Sequence, residues 1–168
     1  MKLLATDMDG TFLRDDKSYS DEFNDLYKQM LKQGIQFVIA SGNQYEALVC
    51  KFDEEIKNDL YYLCENGTKI VYQGKTLYKK ALKKDDVKEV LDILKQDQEC
   101  MLVVSGDKHA YISKSFEDKK DFISLFMKNV QFVESYDDIE DDILKFSIAS
   151  FDDQMEQRIE KIQKQLKP

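Results

Sequence analysis

Short apolar runs alternate with helix-like segments along the first half of this chain. Three runs have the length of buried strands, and they cover residues 2–6, 35–40 and 61–64. Between the first two, apolar residues recur at three- and four-residue spacing, which predicts a helix that Ser18 or Ser20 caps and that ends near Gln33. The face of this helix that is expected to pack on a sheet consists of Phe23, Leu26, Tyr27, Met30 and Leu31. A second helix is predicted over residues 44–52, and strands joined through helices indicate a parallel sheet.

The remainder of the chain has a different order of elements. Residues 68–72 and 76–82 flank Gln73-Gly74-Lys75 and predict a hairpin. The order that follows is a helix over 85–96, a hairpin over 101–105 and 109–112, a helix over 115–128, strands at 130–133 and 144–150, and a last helix from Asp152 or Asp153 to Leu166. We therefore predict an α/β protein whose first part is a doubly wound, Rossmann-like parallel sheet, followed by a region of helices and hairpins.

Composition restricts the class of protein and its partners. The chain has 168 residues, of which 42% are hydrophobic and 35% charged, and this is typical of a globular protein with a buried core. Its formal net charge of −8 argues against nucleic acid as a partner, because binding to a phosphate backbone depends on Lys and Arg. No segment resembles a signal peptide or a membrane span, so we expect no membrane partner. The three cysteines lack metal-type spacing, and we expect buried thiols in a cytoplasmic protein.

The candidate chemistry lies where the first strand is expected to end. We expect a buried central strand there, which would place Asp7 and Asp9 at the carboxyl edge of the sheet, where α/β proteins bind ligands. Alternation along a strand would point both side chains the same way, and Gly10 would let the chain leave the strand in a conformation that other residues resist. Two such acids either share a hard cation or divide the roles of nucleophile and proton donor. On spacing alone, a solvated acidic turn is an equally good interpretation.

Three ordered motifs resemble those of a known family. Residues 7–13, Asp-Met-Asp-Gly-Thr-Phe-Leu, are similar to the first motif of the haloacid dehalogenase-like phosphohydrolases. Residues 34–43 end in Ala-Ser-Gly-Asn and resemble the strand and serine of the second motif. Residues 64–67, Cys-Glu-Asn-Gly, resemble a turn of the Cof-type subgroup, and residues 40–45 are similar to its sugar-phosphatase branch. The resemblance implies the N-terminal part of the family's core over residues 1–82 and an incomplete α+β cap over residues 83–168.

The resemblance also implies a role for each motif residue. Asp7 would be the nucleophile that forms an aspartyl-phosphate, and Asp9 would protonate the leaving alcohol and then activate water. Mg²⁺ would bind the carboxylate of Asp7 and the backbone carbonyl of Asp9. The phosphate oxygens would contact Thr11, Ser41, Gly42 and Asn43, and the substrate cleft would include Asn66 and Gly67. Asn43 stands where Arg is more common in the family, which removes a bidentate contact to phosphate.

Two classes of function follow from this resemblance. The first is a Mg²⁺-dependent phosphohydrolase of small phosphorylated metabolites, with sugar phosphates as the favoured substrates. The second is a catalytically impaired, truncated fragment that only binds phosphate, metal or a protein, because the family's third-motif Lys and acidic fourth motif have no counterpart after Leu166. A core that ends after its first strands also leaves sheet edges open, so we expect a homo-oligomer that forms through these edges.

Overall fold

The chain folds into two compact units, one up to Lys80 and the other from Ala81. The computed structural model describes residues 2–166. The first unit contains strands β1 (Lys2–Asp7), β2 (Ile35–Ala40), β3 (Tyr61–Cys64), β4 (Lys69–Tyr72) and β5 (Lys75–Lys79), with helices α1 (Phe23–Lys32) and α2 (Tyr45–Val49). The second contains helices α3 (Lys84–Leu94), α4 (Lys120–Ser124) and α5 (Met155–Gln163), with strands β6 (Met101–Gly106), β7 (Ala110–Ser113), β8 (Val130–Val133) and β9 (Ile143–Ala149).

A single five-stranded sheet organises the first unit, in the order β1-β2-β3-β4-β5. The pairs β1–β2 and β2–β3 are parallel, whereas β3–β4 and β4–β5 are antiparallel. This confirms the predicted α/β class and the parallel core. In the register of the parallel strands, Asp7 lies beside Ala40 and Ala40 lies beside Leu63. The carboxyl ends of the three strands therefore meet at one edge of the sheet.

The position of β1 differs from the prediction of a buried central strand. Among the described residues, β1 pairs with β2 alone and forms one end of the sheet. The side chains of Leu3 and Leu4 are 63% and 46% exposed as a result. An apolar run of this length indicates a strand that can be covered on both faces, but it does not show how many strand neighbours the fold provides.

Helix α1 is shorter than predicted and is not capped by a serine. It begins at Phe23, the residue at its N-cap is Glu22, and no side chain caps it. Of the predicted packing face, Phe23 and Tyr27 are buried, but Leu26 is 53% exposed. Leu26 lies towards the open β1 end of the sheet, in the groove that Leu4 also lines. The periodicity therefore predicts the helix correctly but overestimates the surface against which it packs.

The core of the first unit is rich in aromatic side chains. The ring of Phe23 lies 4.7 Å from that of Phe12 and 4.9 Å from that of Phe37, measured between centroids, and both pairs meet edge to face. Phe52 of the segment after α2 joins the same cluster. The cluster thus connects α1, β2 and the chain that follows β1, and it fixes where the first motif leaves the sheet.

The second unit is built on a four-stranded sheet in the order β8-β7-β6-β9. The strands β6–β7 and β6–β9 pair antiparallel, and β7–β8 pair parallel. The predicted apolar face of α3 is confirmed, since Leu91 and Leu94 are buried against this sheet. The predicted helix over 115–128 is instead a 3₁₀ turn (Lys114–Lys119) followed by the short α4. No helix within residues 2–166 has the length and apolar character needed to cross a membrane.

The cysteines differ partly from the expectation of buried thiols. Cys64 and Cys100 are buried, whereas Cys50 is exposed, and all three are free. Burial raises the pKa of the Cys64 thiol to about 12, and this holds the group in its neutral form. Cys50 follows the last residue of α2, and its Sγ donates to the carbonyl of Ala47.

A buried arginine ties α5 to the rest of the second unit. The side chain of Arg158 is 7% exposed, and its guanidinium contacts the carboxylates of Asp97, Glu99 and Asp152. The distance to Asp152 is 2.6 Å. The hydroxyl of Ser150, the backbone N–H of Gln154 and this guanidinium together lower the pKa of Asp152 to about 2.

We expect this acid to make the stability of the second unit depend on pH. Its folded pKa lies below the ordinary value of 3.8, so its contribution is complete above about pH 4 and is lost as the pH falls towards 2. Asp152→Asn should therefore be less stable than wild type at neutral pH, and the difference should disappear near pH 2. Denaturant unfolding between pH 2 and 7 measures this, with the neighbouring Asp153→Asn as control. A constant difference across this range would contradict it.

Candidate active site

The first motif forms an irregular turn at the carboxyl end of β1. The N–H of Leu13 donates to the carbonyl of Met8 at 2.8 Å and closes the turn over Met8–Phe12. Gly10 has a φ of 71°, a left-handed conformation that a residue with a Cβ adopts only with strain. Nothing lies within 4 Å of a Cβ placed there, so the backbone angle alone requires glycine. The expectation for Gly10 is confirmed.

The two acids of this motif lie on different kinds of backbone. Asp7 is the last residue of β1, and Asp9 is already inside the turn. The strand alternation that we used to predict their common direction therefore does not extend to Asp9. Between them the side chain of Met8 is fully buried, while Asp7 and Asp9 are exposed. Burial of Met8 in the core holds the turn against the sheet and leaves both carboxylates open to a ligand.

A side-chain contact connects the loop that follows β2 to this turn. The amide Nδ2 of Asn43 donates to Oδ2 of Asp9 at 3.3 Å. The hydroxyl of Ser41, which is 9% exposed, accepts the backbone N–H of Asn43 at 3.1 Å. The structure therefore brings together residues of the first and second motifs that are more than thirty positions apart in sequence.

The turn after β3 supports the same loop from the other side. The backbone N–H groups of Glu65 and Asn66 donate to the carbonyls of Asn43 and Ser41 at 3.1 and 3.2 Å. Glu65, Asn66 and Gly67 all have positive φ, and this makes the turn tight enough to reach the loop. A Cβ on Gly42 would lie 2.7 Å from Oδ1 of Asn66, so glycine allows this close approach. The structure thus places Asn66 against Ser41 and Gly42.

A lysine that the sequence did not single out binds the second acid. Nζ of Lys17 lies 2.9 Å from Oδ1 of Asp9, and Lys17 reaches it from a turn in which its own φ is 65°. The hydrogen bond and charge of Lys17, helped by Asn43 and by the charge of Lys51, lower the pKa of Asp9. Asp9 is therefore ionised in this form of the site. The pair is about half exposed, so its contribution to stability is small.

Thr11 is the predicted phosphate contact that belongs to the first-motif turn. It is exposed in the first-motif turn and lines the groove beside α1, together with Leu4 and Thr6. Ser41, Gly42 and Asn43 lie in the loop that contacts Asp9 and Asn66. Of the predicted residues, Asp9, Ser41, Gly42, Asn43 and Asn66 are joined by contacts, and Asp7 lies beside Ala40 at the same edge.

The donor atoms at this edge are oxygens, which hard cations prefer, but they are too few to fill the coordination shell of such an ion. Asp7 offers an exposed carboxylate, and the turn offers the backbone carbonyl of Asp9; both are oxygen ligands of the type that Mg²⁺ prefers. Within residues 2–166, no three His, Cys, Asp or Glu side chains are grouped so as to hold a metal ion. These donors fit a cation that keeps most of its water and that a phosphate group helps to hold.

The carboxyl ends of the parallel strands carry two exposed acids, a serine and a glycine, and this edge is where α/β proteins bind ligands. A family model described as haloacid dehalogenase-like hydrolase matches residues 4–168. This chain belongs to that haloacid dehalogenase-like family, as its motifs indicated.

A curated relative and solved structures agree with this assignment. The chain is 38% identical over 155 residues to the Escherichia coli (strain K12) protein named 5-amino-6-(5-phospho-D-ribitylamino)uracil phosphatase YbjI, and the match covers 91% of this chain and 57% of that protein. The structure of SMU.1108c from Streptococcus mutans UA159 superposes with a TM-score of 0.83 at 27% identity, over 96% of this chain and 61% of that one. The subclass IIB sugar phosphatase BT4131 has the same fold, with a TM-score of 0.73 at 15% identity. This match covers 97% of this chain and 64% of that one. The chain therefore spans about three fifths of the length of these relatives.

Proposed function

We propose that this chain carries the nucleophile and phosphate-binding part of a phosphohydrolase that acts on small phosphorylated metabolites. The observation that carries the proposal is the contact between Asn43 and Asp9, which assembles two motifs at one edge of the sheet. Family membership supports hydrolysis as the reaction class. Asp7 would be the nucleophile and Asp9 the acid and base, with Ser41, Gly42 and Asn43 on the phosphate oxygens.

The reaction would proceed in two displacements. A carboxylate oxygen of Asp7 attacks phosphorus and forms an aspartyl-phosphate, while the bond to the leaving oxygen breaks and that oxygen takes a proton from Asp9. Asp9, now ionised, removes a proton from water, and the water oxygen attacks phosphorus and releases Asp7 and phosphate. The second step suits the ionised Asp9 beside Lys17. The first step requires that Lys17 leaves Asp9 so that the acid can carry its proton.

We expect Asp7 and the carbonyl of Asp9 to be the protein ligands of Mg²⁺. When bound, this ion would neutralise charge between the nucleophile and the phosphoryl group. Ser41 and the backbone N–H groups of Gly42 and Asn43 would orient the phosphate so that phosphorus faces Asp7. Electrostatic positioning of this kind accounts for most of the catalysis in phosphoryl transfer.

Mg²⁺ alone should bind weakly to this chain. With one carboxylate and one carbonyl as ligands, too little energy is available to displace water from an ion that dehydrates reluctantly. Isothermal titration calorimetry should give a dissociation constant in the millimolar range, roughly 1 mM or higher, for such a partly hydrated ion. Asp7→Ala should remove this binding, and Asp15→Ala serves as the control. Micromolar affinity, or binding that survives Asp7→Ala, would contradict the assignment of the ligands.

The names of the relatives point to a phosphate ester of a sugar or a sugar alcohol as the substrate. One is named for a phosphoribityl compound and another as a sugar phosphatase. Both classes are small phosphorylated metabolites that a metal and backbone amides can bind despite the net charge of −8. The proposed substrate of this chain is therefore a phosphorylated sugar or sugar alcohol rather than a nucleic acid or a lipid surface.

Release of phosphate from a general aryl phosphate tests the proposal. We expect release by the 168-residue chain with Mg²⁺ and loss of release when the metal is chelated. Phosphate binding is measured in parallel. Binding without release would instead support the second class of function, a fragment that binds phosphate but does not hydrolyse the ester. If the chain neither releases nor binds phosphate, this result contradicts the proposed site.

A further inference from the structure

Two donors hold the second acid of the first motif, each at a different carboxylate oxygen. Nζ of Lys17 lies 2.9 Å from Oδ1 of Asp9, and Nδ2 of Asn43 donates to Oδ2 at 3.3 Å. Asn43 is a residue that we place on the phosphate. Lys17 holds the other oxygen of the acid that, in the proposed reaction, gives its proton to the leaving alcohol. The ammonium therefore lies beside the acid that serves the leaving group.

The loop that presents Lys17 is fixed by its own hydrogen bonds. The N–H of Arg14 donates to the carbonyl of Ser18 at 2.8 Å, and the N–H of Lys17 donates to the carbonyl of Arg14 at 2.9 Å. Oδ1 of Asp16 accepts the N–H and the hydroxyl of Ser18 at 3.0 and 2.6 Å. The guanidinium of Arg14 donates to the carbonyl of Tyr19 at 3.0 Å. These contacts close a turn and hold the backbone of Lys17 in place.

The core of the first unit anchors this loop at Tyr19. Its ring stacks on that of Phe12 with the centroids 5.6 Å apart, and its hydroxyl donates to Oδ2 of Asp53 at 3.1 Å. Lys17 itself has a φ of 65°, which is uncommon for a residue with a Cβ. An uncommon backbone conformation beside a candidate site points to a function for the residue that adopts it.

The ion pair between Lys17 and Asp9 opens easily. Their side chains are 60% and 48% exposed, so water competes for both charges and the pair contributes little to stability. The proposed first displacement requires that Lys17 leaves Asp9. The flexible stem of the lysine lets its ammonium turn to another anion while the loop keeps the backbone in place.

A second lysine makes this part of the site more positive. The charge of Lys51 acts on the carboxylate of Asp9 and, after the larger effects of Lys17 and Asn43, lowers the pKa of this acid. The chain as a whole carries a net charge of −8, which repels a substrate with more than one negative group. Cations beside Asp9 offset this repulsion at the place where the leaving group would bind.

We propose that Lys17 binds a carboxylate on the alcohol part of the substrate, close to the phosphate ester. This inference rests on the proposed function, because it assumes that the ester oxygen lies beside Asp9. In the free site the ammonium is held by Asp9, and in the complex it passes to the carboxylate of the substrate. One ammonium matches the single charge of a carboxylate better than the nearly double charge of a second phosphate. The favoured substrates are therefore phosphate esters of sugar acids.

Two esters that differ in one group test this inference by binding alone. 2-Phosphoglycerate carries a carboxylate where glycerol 2-phosphate carries a hydroxymethyl group, and the phosphate ester is otherwise the same. Both are titrated into the ¹⁵N-labelled chain with the metal chelated, because the proposed reaction does not run without it. We expect 2-phosphoglycerate to bind about tenfold more tightly, the gain from one charge-assisted hydrogen bond.

Variants of Lys17 show whether this residue causes the preference. Lys17→Met should remove the preference, and Lys17→Arg should keep it because the charge is retained. The readout is the ratio of the two affinities, in which an effect of the uncovered Asp9 charge on the phosphate cancels. Lys28→Met is the matched control, since Lys28 is also an exposed lysine paired with an acid, Glu55, at 2.7 Å. This control should keep the wild-type ratio, and circular dichroism shows whether each variant is folded.

The outcomes separate this inference from the proposed function. If wild type has no preference, or if Lys17→Met keeps the wild-type ratio, the inference is overturned while the phosphate site stands. If neither ester binds to wild type, the proposed site and the inference both fail. A preference that is lost in Lys17→Met and kept in Lys17→Arg and Lys28→Met supports the assignment of Lys17 to the carboxylate.

Discussion

Asp7→Asn is expected to abolish any phosphate release by this chain. An amide is too weak a nucleophile to attack phosphorus, so the first displacement cannot begin. Asp9→Ala should lower the rate by roughly 10²–10⁴-fold, the usual range for loss of a general acid and base. Release of inorganic phosphate from an aryl phosphate, measured with purified variants in the presence of Mg²⁺, gives both values.

Asp15→Asn is the matched control for these two variants. It removes an exposed carboxylate from the segment that follows the first-motif turn, and it should release phosphate at the wild-type rate. Circular dichroism should show that all three variants are folded, since Asp7, Asp9 and Asp15 are exposed. Undiminished release by Asp7→Asn would assign the chemistry to other residues.

Phe23→Ala is expected to destabilise the first unit by about 3–5 kcal/mol, the usual cost of removing a buried aromatic side chain. Phe23 is 5% exposed and contacts the rings of Phe12, Phe37 and Tyr27. Phe12 belongs to the first-motif turn, so the cavity would also loosen the backbone that holds Asp9. Denaturant unfolding, followed by circular dichroism, measures the loss of stability.

Phe122→Ala makes the same chemical change at an exposed position of the second unit. Its side chain is 46% exposed, and we expect a loss of less than about 1 kcal/mol, as for most surface substitutions. Equal losses for Phe23→Ala and Phe122→Ala would contradict the central role of the aromatic cluster. Loss of phosphate binding in Phe23→Ala under conditions where the unit is still folded would support its role in holding the turn.

Much of the fold follows from pattern and length. The bounds of β2, β3 and β8 agree with the predicted residues 35–40, 61–64 and 130–133. For β2 the reason is that Gly34 precedes the strand and Ser41-Gly42 follows it, and these residues favour turns. The exposed position of β1 could not be predicted from its residues, because an apolar run does not indicate how many strands pair with it. Leu26 shows the same limit, because helical spacing does not reveal where the sheet beneath the helix ends.

Less of the candidate site follows from sequence. The motifs located Asp7, Ser41 and Asn66, and the parallel register explains why these residues lie at one edge of the sheet. Lys17 was missed because its contact with Asp9 depends on a turn with a positive φ, and no periodic pattern encodes that angle. The catalytic and binding roles of these residues, and the core and cap roles of the two units, remain predictions.

Titration of the ¹⁵N-labelled chain with inorganic phosphate in the presence of Mg²⁺ tests the central claim most directly, because it locates the anion without requiring turnover. We predict that the largest amide shifts fall in the first-motif turn, Met8–Phe12, and in residues 41–43. Asp7→Asn should weaken the shifts that depend on Mg²⁺. Shifts confined to other parts of the chain, or no shifts at millimolar phosphate, would contradict the assignment of this edge as a phosphoryl-transfer site.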